Sequence, residues 1–137
     1  MIFSNRFEET RYCFLSNNYI KDICILNKII RYCAEADETI IRFGNSIDKL
    51  KTDNIYKNAT AMCILQIGEL VRHLSNDIVN EYDEMPWKQI KGMRNIAAHG
   101  YEDFDVEILW QTLKNDLPAL RKYCVGILSR TENDKPL

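Results

Sequence analysis

Two side chains close together in this sequence can between them move a proton and hold a phosphate: Arg94 and His99, in the run Arg94-Asn95-Ile96-Ala97-Ala98-His99. An imidazole exchanges protons near neutral pH, and a guanidinium stays charged while offering a planar fork of donors that matches phosphate oxygens. Cleavage of an RNA phosphodiester uses both. The 2′-hydroxyl must lose a proton, the leaving 5′-oxygen must gain one, and negative charge builds on the non-bridging oxygens. Neither a metal nor an organic cofactor is needed for those tasks, and none is expected. Lys88 and Lys91 lie three residues apart, Lys91 lies three before Arg94, and Asn95 adjoins Lys91. On a helix these four fall along one side and form a local phosphate track. The only other histidine, His73, sits between Arg72 and Leu74 with no partner for proton transfer beside it. It reads as a partly exposed structural residue. Spacing alone does not select a function, because an arginine and a histidine on a polar helix face are more often solvated surface than active site.

The elements that must position these groups are helical. Ile20, Ile23, Leu26, Ile29 (or Ile30) and Cys33 recur at three- and four-residue spacing. They predict a first helix from Asn17 or Asn18 to Phe43, stopped by Gly44-Asn45. A shorter piece follows from Ser46 with Ile47 and Leu50 inward, and Thr52-Asp53-Asn54 breaks it. A third helix is expected over Ile55 to Ser75, carrying Ala59, Met62, Cys63, Ile67, Leu70, Val71 and Leu74. Gly68 inside it costs about 1 kcal/mol of helix propensity, which points to a neighbouring backbone close by. Pro86 fits the first turn of a fourth helix, Pro86 to Ala98, with Gly100 as its cap. The last helix, Val106 to Leu128, has Ile108, Leu109, Leu113, Leu117, Leu120, Cys124 and Ile127 as its inward positions, and Pro118 should kink or split it. Residues 130–137 read as a flexible tail. Residues 1–17 read as an arm whose Phe3, Phe7, Tyr12, Phe14 and Leu15 need a surface to cover. The bundle then spans 18–129, one all-α, up-and-down domain of four or five helices.

Composition sets the class. The 137 residues are 46% hydrophobic and 28% charged, enough to bury a core in one domain. No apolar run is long enough to span a bilayer, and Met1 to Arg11 carries acidic residues where a secretory signal would be apolar. A cytoplasmic protein without membrane contact is therefore expected. Five cysteines, Cys13, Cys24, Cys33, Cys63 and Cys124, lack zinc-ligand spacing and are an odd number, so they read as reduced core thiols and no metal site is expected. The net charge of −2 argues against a broad nucleic-acid footprint but allows a local basic cleft.

A wider string adds a family resemblance. Ile67-Gly68-Glu69-Leu70, then Met85-Pro86-Trp87-Lys88-Gln89-Ile90-Lys91-Gly92-Met93-Arg94-Asn95-Ile96-Ala97-Ala98-His99-Gly100-Tyr101, then Leu109-Trp110 and Asp116-Leu117-Pro118-Ala119-Leu120, resembles the HepT-like branch of the HEPN superfamily. The resemblance covers Asn18 to Leu128 and includes the motif of an arginine, four residues, a histidine, one residue and a tyrosine. It implies a helical bundle that forms a symmetric homodimer with two motifs facing one cleft. It also implies a metal-independent ribonuclease toxin, endo- or exonucleolytic. Arg94 and His99 match the catalytic pair, and Asn95 the polar residue that shapes the site. Tyr101 matches the tyrosine to which a cognate nucleotidyltransferase antitoxin attaches AMP. RNA, that antitoxin and a second copy of the chain are thus the implied partners. Gly68 is read as permitting close packing, Glu69 as a possible partner of Arg94 or a plain surface residue, and Gly100 as a cap. Trp87 and Trp110 are read as core or interface anchors. The alternative is a non-catalytic nucleotide-binding or accessory helical subunit of a nucleotidyltransferase, and a purely structural dimerisation bundle comes third.

Overall fold

The computed structural model describes residues 17–99 and 105–133, with backbone alone at Asn17, at 96–99 and at Asn133. Among the described residues every regular element is helical. These are α1 (Asn17–Phe43), α2 (Ile47–Thr52), α3 (Asn54–Arg72), α4 (Asn76–Glu81), α5 (Trp87–His99), α6 (Val106–Gln111) and α7 (Leu117–Asn133), with a π-helical turn, Thr112–Asp116, joining the last two. The chain is an all-α bundle.

The long helical stretches face one another through residues spaced three or four apart. Leu26, Ile29, Cys33, Ala36 and Ile40 of α1 are buried, as are Tyr56, Thr60, Cys63, Ile67 and Val71 of α3. Leu109, Leu113, Leu117, Leu120, Cys124 and Ile127 continue the pattern through the last stretch. Such a stripe drives the packing, since each fully buried Leu or Ile contributes about 1.5–3 kcal/mol over its exposed state.

Polar ties fix the order and direction of the helices. Gly44 ends α1 at φ +118°, a conformation open to glycine, and its N–H donates to Ile40 C=O at 2.8 Å. Its own C=O accepts from the Tyr56 hydroxyl at 3.0 Å, joining the end of α1 to the start of α3. At the opposite end the buried Asp22 accepts from both the N–H and the hydroxyl of Ser75, the residue that caps α4. Hence α1 and α3 run antiparallel. Tyr19 donates to Thr131 C=O at 3.0 Å and Arg121 reaches Asp37 at 3.5 Å, so α1 and α7 are antiparallel too. Trp87 and Tyr82 close the ring by meeting Tyr123 of α7 edge-on, each with ring centres 6.2 Å apart.

The expected last helix is divided just ahead of Pro118, into α6 and α7 joined by the π-helical turn. That wide turn, in which Leu117 N–H donates to Thr112 C=O, accommodates a residue that lacks an N–H and would collide with the carbonyl four residues back. Several expectations change on inspection. Helix α7 continues through Asn133, so residues 130–133, expected in a flexible tail, are helical. Ile108 is 52% exposed and not inward, and Met62 is 54% exposed on the far side of α3. Cys24 is exposed, whereas Cys33, Cys63 and Cys124 are buried free thiols. Cys13 and the N-terminal arm lie outside the described residues. The short α4 was not anticipated. No helix among the described residues is long and apolar enough to cross a membrane.

Candidate active site at the α3–α5 crossing

Of the candidate residues, Gly68, Glu69 and Arg94 meet where α5 crosses α3. Pro86 stands just before the first turn of α5, and its C=O accepts from Gln89 N–H at 3.0 Å and Ile90 N–H at 3.1 Å. Trp87 and Ile90 bury the inner side of the helix, and the Trp87 indole donates to Tyr82 C=O at 2.8 Å. Trp87 is therefore a core anchor, with no face free for stacking a base. Trp110 is half-buried, and the Lys114 ammonium sits 5.6 Å from its ring centre.

The crossing is set by Gly68. A Cβ at that position would lie 2.9 Å from Arg94 Cβ, 3.0 Å from Arg94 N and 3.3 Å from Ile90 O. Ordinary contacts are longer, so only glycine lets the two helices meet at this depth. The residue that follows, Glu69, pairs through Oε1 with Arg94 Nε. Oε1 is shielded from solvent and has no hydrogen-bond partner among the described residues, so its contact with Arg94 is an ion pair. The side chain of Arg94 is 40% exposed and that of Glu69 31%, so the pair lies at the mouth of the crossing and within reach of solvent.

Lys88, Lys91 and Asn95 are exposed on α5. Neither lysine has an ion-pair partner among the described residues, and both are left to attract an anion. The backbone of His99 is the last residue of α5. Five steps of helix put its Cα about 7.5 Å along the axis from that of Arg94. The His99 side chain, and Gly100 and Tyr101 altogether, lie outside the described residues. His73 is exposed and ends α3, its N–H donating to Leu70 C=O at 3.0 Å.

One feature of this region was missed in the sequence. Ile55, 69% exposed, and Met62 lie seven residues apart on α3, and Glu69 lies seven further on. The three therefore share one face of the helix. The available signal was the side opposite Cys63 and Ile67. The arrangement offers a held guanidinium with flanking cations and an apolar ridge beside it.

Comparison with known proteins places the chain in a family. Residues 18–127 match the family described as Ribonuclease HepT-like, and the chain belongs to it. "Putative RNase MJ1380" of Methanocaldococcus jannaschii is 31% identical over 90 residues, covering 64% of this chain and 83% of that protein. "Probable ribonuclease HepT" of Thermococcus cleftensis is 33% identical over 90 residues, covering 64% of this chain and 82% of its own length. "Putative RNase MJ0125", also of M. jannaschii, is 31% identical over 97 residues, covering 69% and 84%. No solved structure gives a significant match.

Proposed function

We propose that this chain is a ribonuclease that cleaves RNA without a metal, with Arg94 and His99 as its reacting pair. The observation that carries the reading is the Arg94 guanidinium, paired with Glu69 and rooted against Gly68, on the helix that ends at His99. Family membership and the RNase names of the relatives support it. In this mechanism His99 takes the proton from the 2′-hydroxyl or returns one to the 5′-oxygen, and Arg94 stabilises the charge on the non-bridging oxygens. Lys88, Lys91 and Asn95 hold the flanking strand.

One histidine per chain cannot easily serve both sides of a phosphate. Two chains related by a twofold axis supply two histidines and two arginines. The exposed Ile55 and Met62, on the same face of α3 as Glu69, offer an apolar surface for that association. The chain acts as the toxin of a pair whose partner nucleotidyltransferase transfers AMP to Tyr101. The added phosphate would compete for Arg94 and repel RNA.

Purified protein is expected to degrade RNA in EDTA, with Arg94→Ala and His99→Ala inactive. Equal degradation by wild type and His99→Ala would remove the nuclease reading. Nucleotide or nucleotidyltransferase binding without cleavage would favour an accessory subunit instead. Co-expression with a cognate nucleotidyltransferase should place AMP on Tyr101, read by mass spectrometry of the tryptic peptide. An unmodified Tyr101 in a neutralised pair would exclude that form of control.

A further inference from the structure

We propose that Glu69 is the positioning residue of this site. It holds Arg94 by the Nε edge of its guanidinium, so that the two terminal nitrogens are presented to a phosphodiester. The proposal rests on the nuclease reading above and deepens it.

The closest approach of the pair is Glu69 Oε1 to Arg94 Nε, and no other described residue pairs with the guanidinium. A guanidinium has five donors in a rigid plane, so fixing the Nε edge fixes where the Nη1–Nη2 edge points. The backbone is fixed as well. Gly68 admits Arg94 Cβ and Arg94 N to distances that any side chain would forbid. Consecutive residues of α3 thus constrain both ends of the arginine, Gly68 its root and Glu69 its head. A flexible side chain held at two points loses little further entropy when substrate arrives. Burial of Oε1 strengthens the dependence, since a carboxylate oxygen shielded from solvent and lacking a hydrogen bond has only the Arg94 cation to offset its charge.

The negative charge of Glu69 has a second consequence. It offsets one positive charge of the track formed by Arg94, Lys88 and Lys91. A phosphodiester carries one negative charge, whereas a terminal phosphate or free inorganic phosphate carries nearly two. The second charge meets the repulsion of Glu69 across a few ångströms of partly solvated space. At the high effective dielectric of such a site the penalty is roughly 3- to 10-fold in affinity. The site is accordingly tuned to internal phosphodiesters over phosphorylated ends.

Glu69→Ala and Glu69→Gln separate the two effects, because glutamine keeps an oxygen beside Nε and loses only the charge. In Glu69→Ala, kcat for RNA should fall about 10- to 100-fold with KM within about threefold. Glu69→Gln should recover most of that loss, while its inhibition by inorganic phosphate tightens about 3- to 10-fold. Independently of activity, the Arg94 Nε–H resonance in a ¹⁵N spectrum should exchange slowly in wild type and Glu69→Gln, and rapidly in Glu69→Ala. Wild-type kcat in Glu69→Ala, or an Nε–H signal indifferent to the substitution, would overturn the proposal. So would equal loss in both variants accompanied by equal loss of melting temperature, which is the mark of a merely structural residue. A wild-type protein with a protected Nε–H and discrimination against inorganic phosphate, but no RNA cleavage, would sink the nuclease reading and leave the pairing standing.

Discussion

Replacing Gly68 with alanine gives a prediction in which stability and activity part company. The new Cβ would stand 2.9 Å from Arg94 Cβ and 3.0 Å from Arg94 N. Neither atom can rotate away, so α5 must retreat by about half an ångström or more to restore ordinary contact. Overpacking of this kind costs about 1–3 kcal/mol, and removing a mid-helix glycine returns about 1 kcal/mol. The net loss is then about 0–2 kcal/mol, or up to about 8 °C in Tm for a domain of this size. Cleavage should suffer more, because a reacting group displaced by up to an ångström can cost on the order of 10²-fold in rate. We expect a fall of about 10- to 100-fold in kcat/KM. Gly126→Ala is the control, since its Cβ would meet nothing within 4 Å. It should gain about 0.5–1 kcal/mol of stability and keep full activity. Thermal melts and RNA cleavage on both variants decide the matter. If Gly68→Ala behaves like Gly126→Ala in both assays, the close helix approach does not set the site.

Two further predictions concern the core. Burial pushes the thiols of Cys33 and Cys124 up to about 12 and that of Cys63 up to about 11, from an ordinary value of 9.0. The folded state therefore keeps these protons above pH 9, where the unfolded chain releases them, so alkali favours unfolding. Each thiol should remove roughly 1 kcal/mol of stability between pH 8 and 10. The urea midpoint should drop across that range, and a variant with alanine at all three positions should drop distinctly less. An equal drop in both proteins would refute the assignment. Trp87→Phe leaves the buried Tyr82 carbonyl without its indole donor. Met85 N–H still donates to that carbonyl at 3.4 Å, so the change should cost about 0.5–1.5 kcal/mol by chemical denaturation, and an unchanged midpoint would show that the indole bond contributes nothing.

Where burial is periodic, the sequence already disclosed the fold. Leu26, Ile29 and Cys33 placed α1, Gly44 placed its end, and Gly68 announced a close backbone without saying whose. What escaped depends on residues distant in the chain. The six-residue α4 is too short to show a period, and its cap is bound by Asp22, 53 positions earlier. The polar residues 129–133 carry no apolar stripe, so their helical state rests on continuity and on the Tyr19 hydroxyl from α1. Ile108 and Met62 fit an inward register by hydrophobicity alone, yet their faces meet no partner helix. In the site, the family resemblance and not spacing singled out Arg94 and His99 as candidates. The union of Glu69 with Arg94 joins positions 25 residues apart and was left open between a pair and a plain surface role, because two helices must cross before it exists.

The chemistry of the cut ends bears most directly on Arg94 and His99 as the reacting pair. Digestion in EDTA of an RNA pool, beside the same pool with every 2′-hydroxyl methylated, should yield 5′-hydroxyl and 2′,3′-cyclic phosphate ends from the first and no cleavage of the second. Cutting of the methylated pool, or products bearing 5′-phosphates, would mean that the 2′-hydroxyl is not the nucleophile and that His99 does not do the work assigned to it.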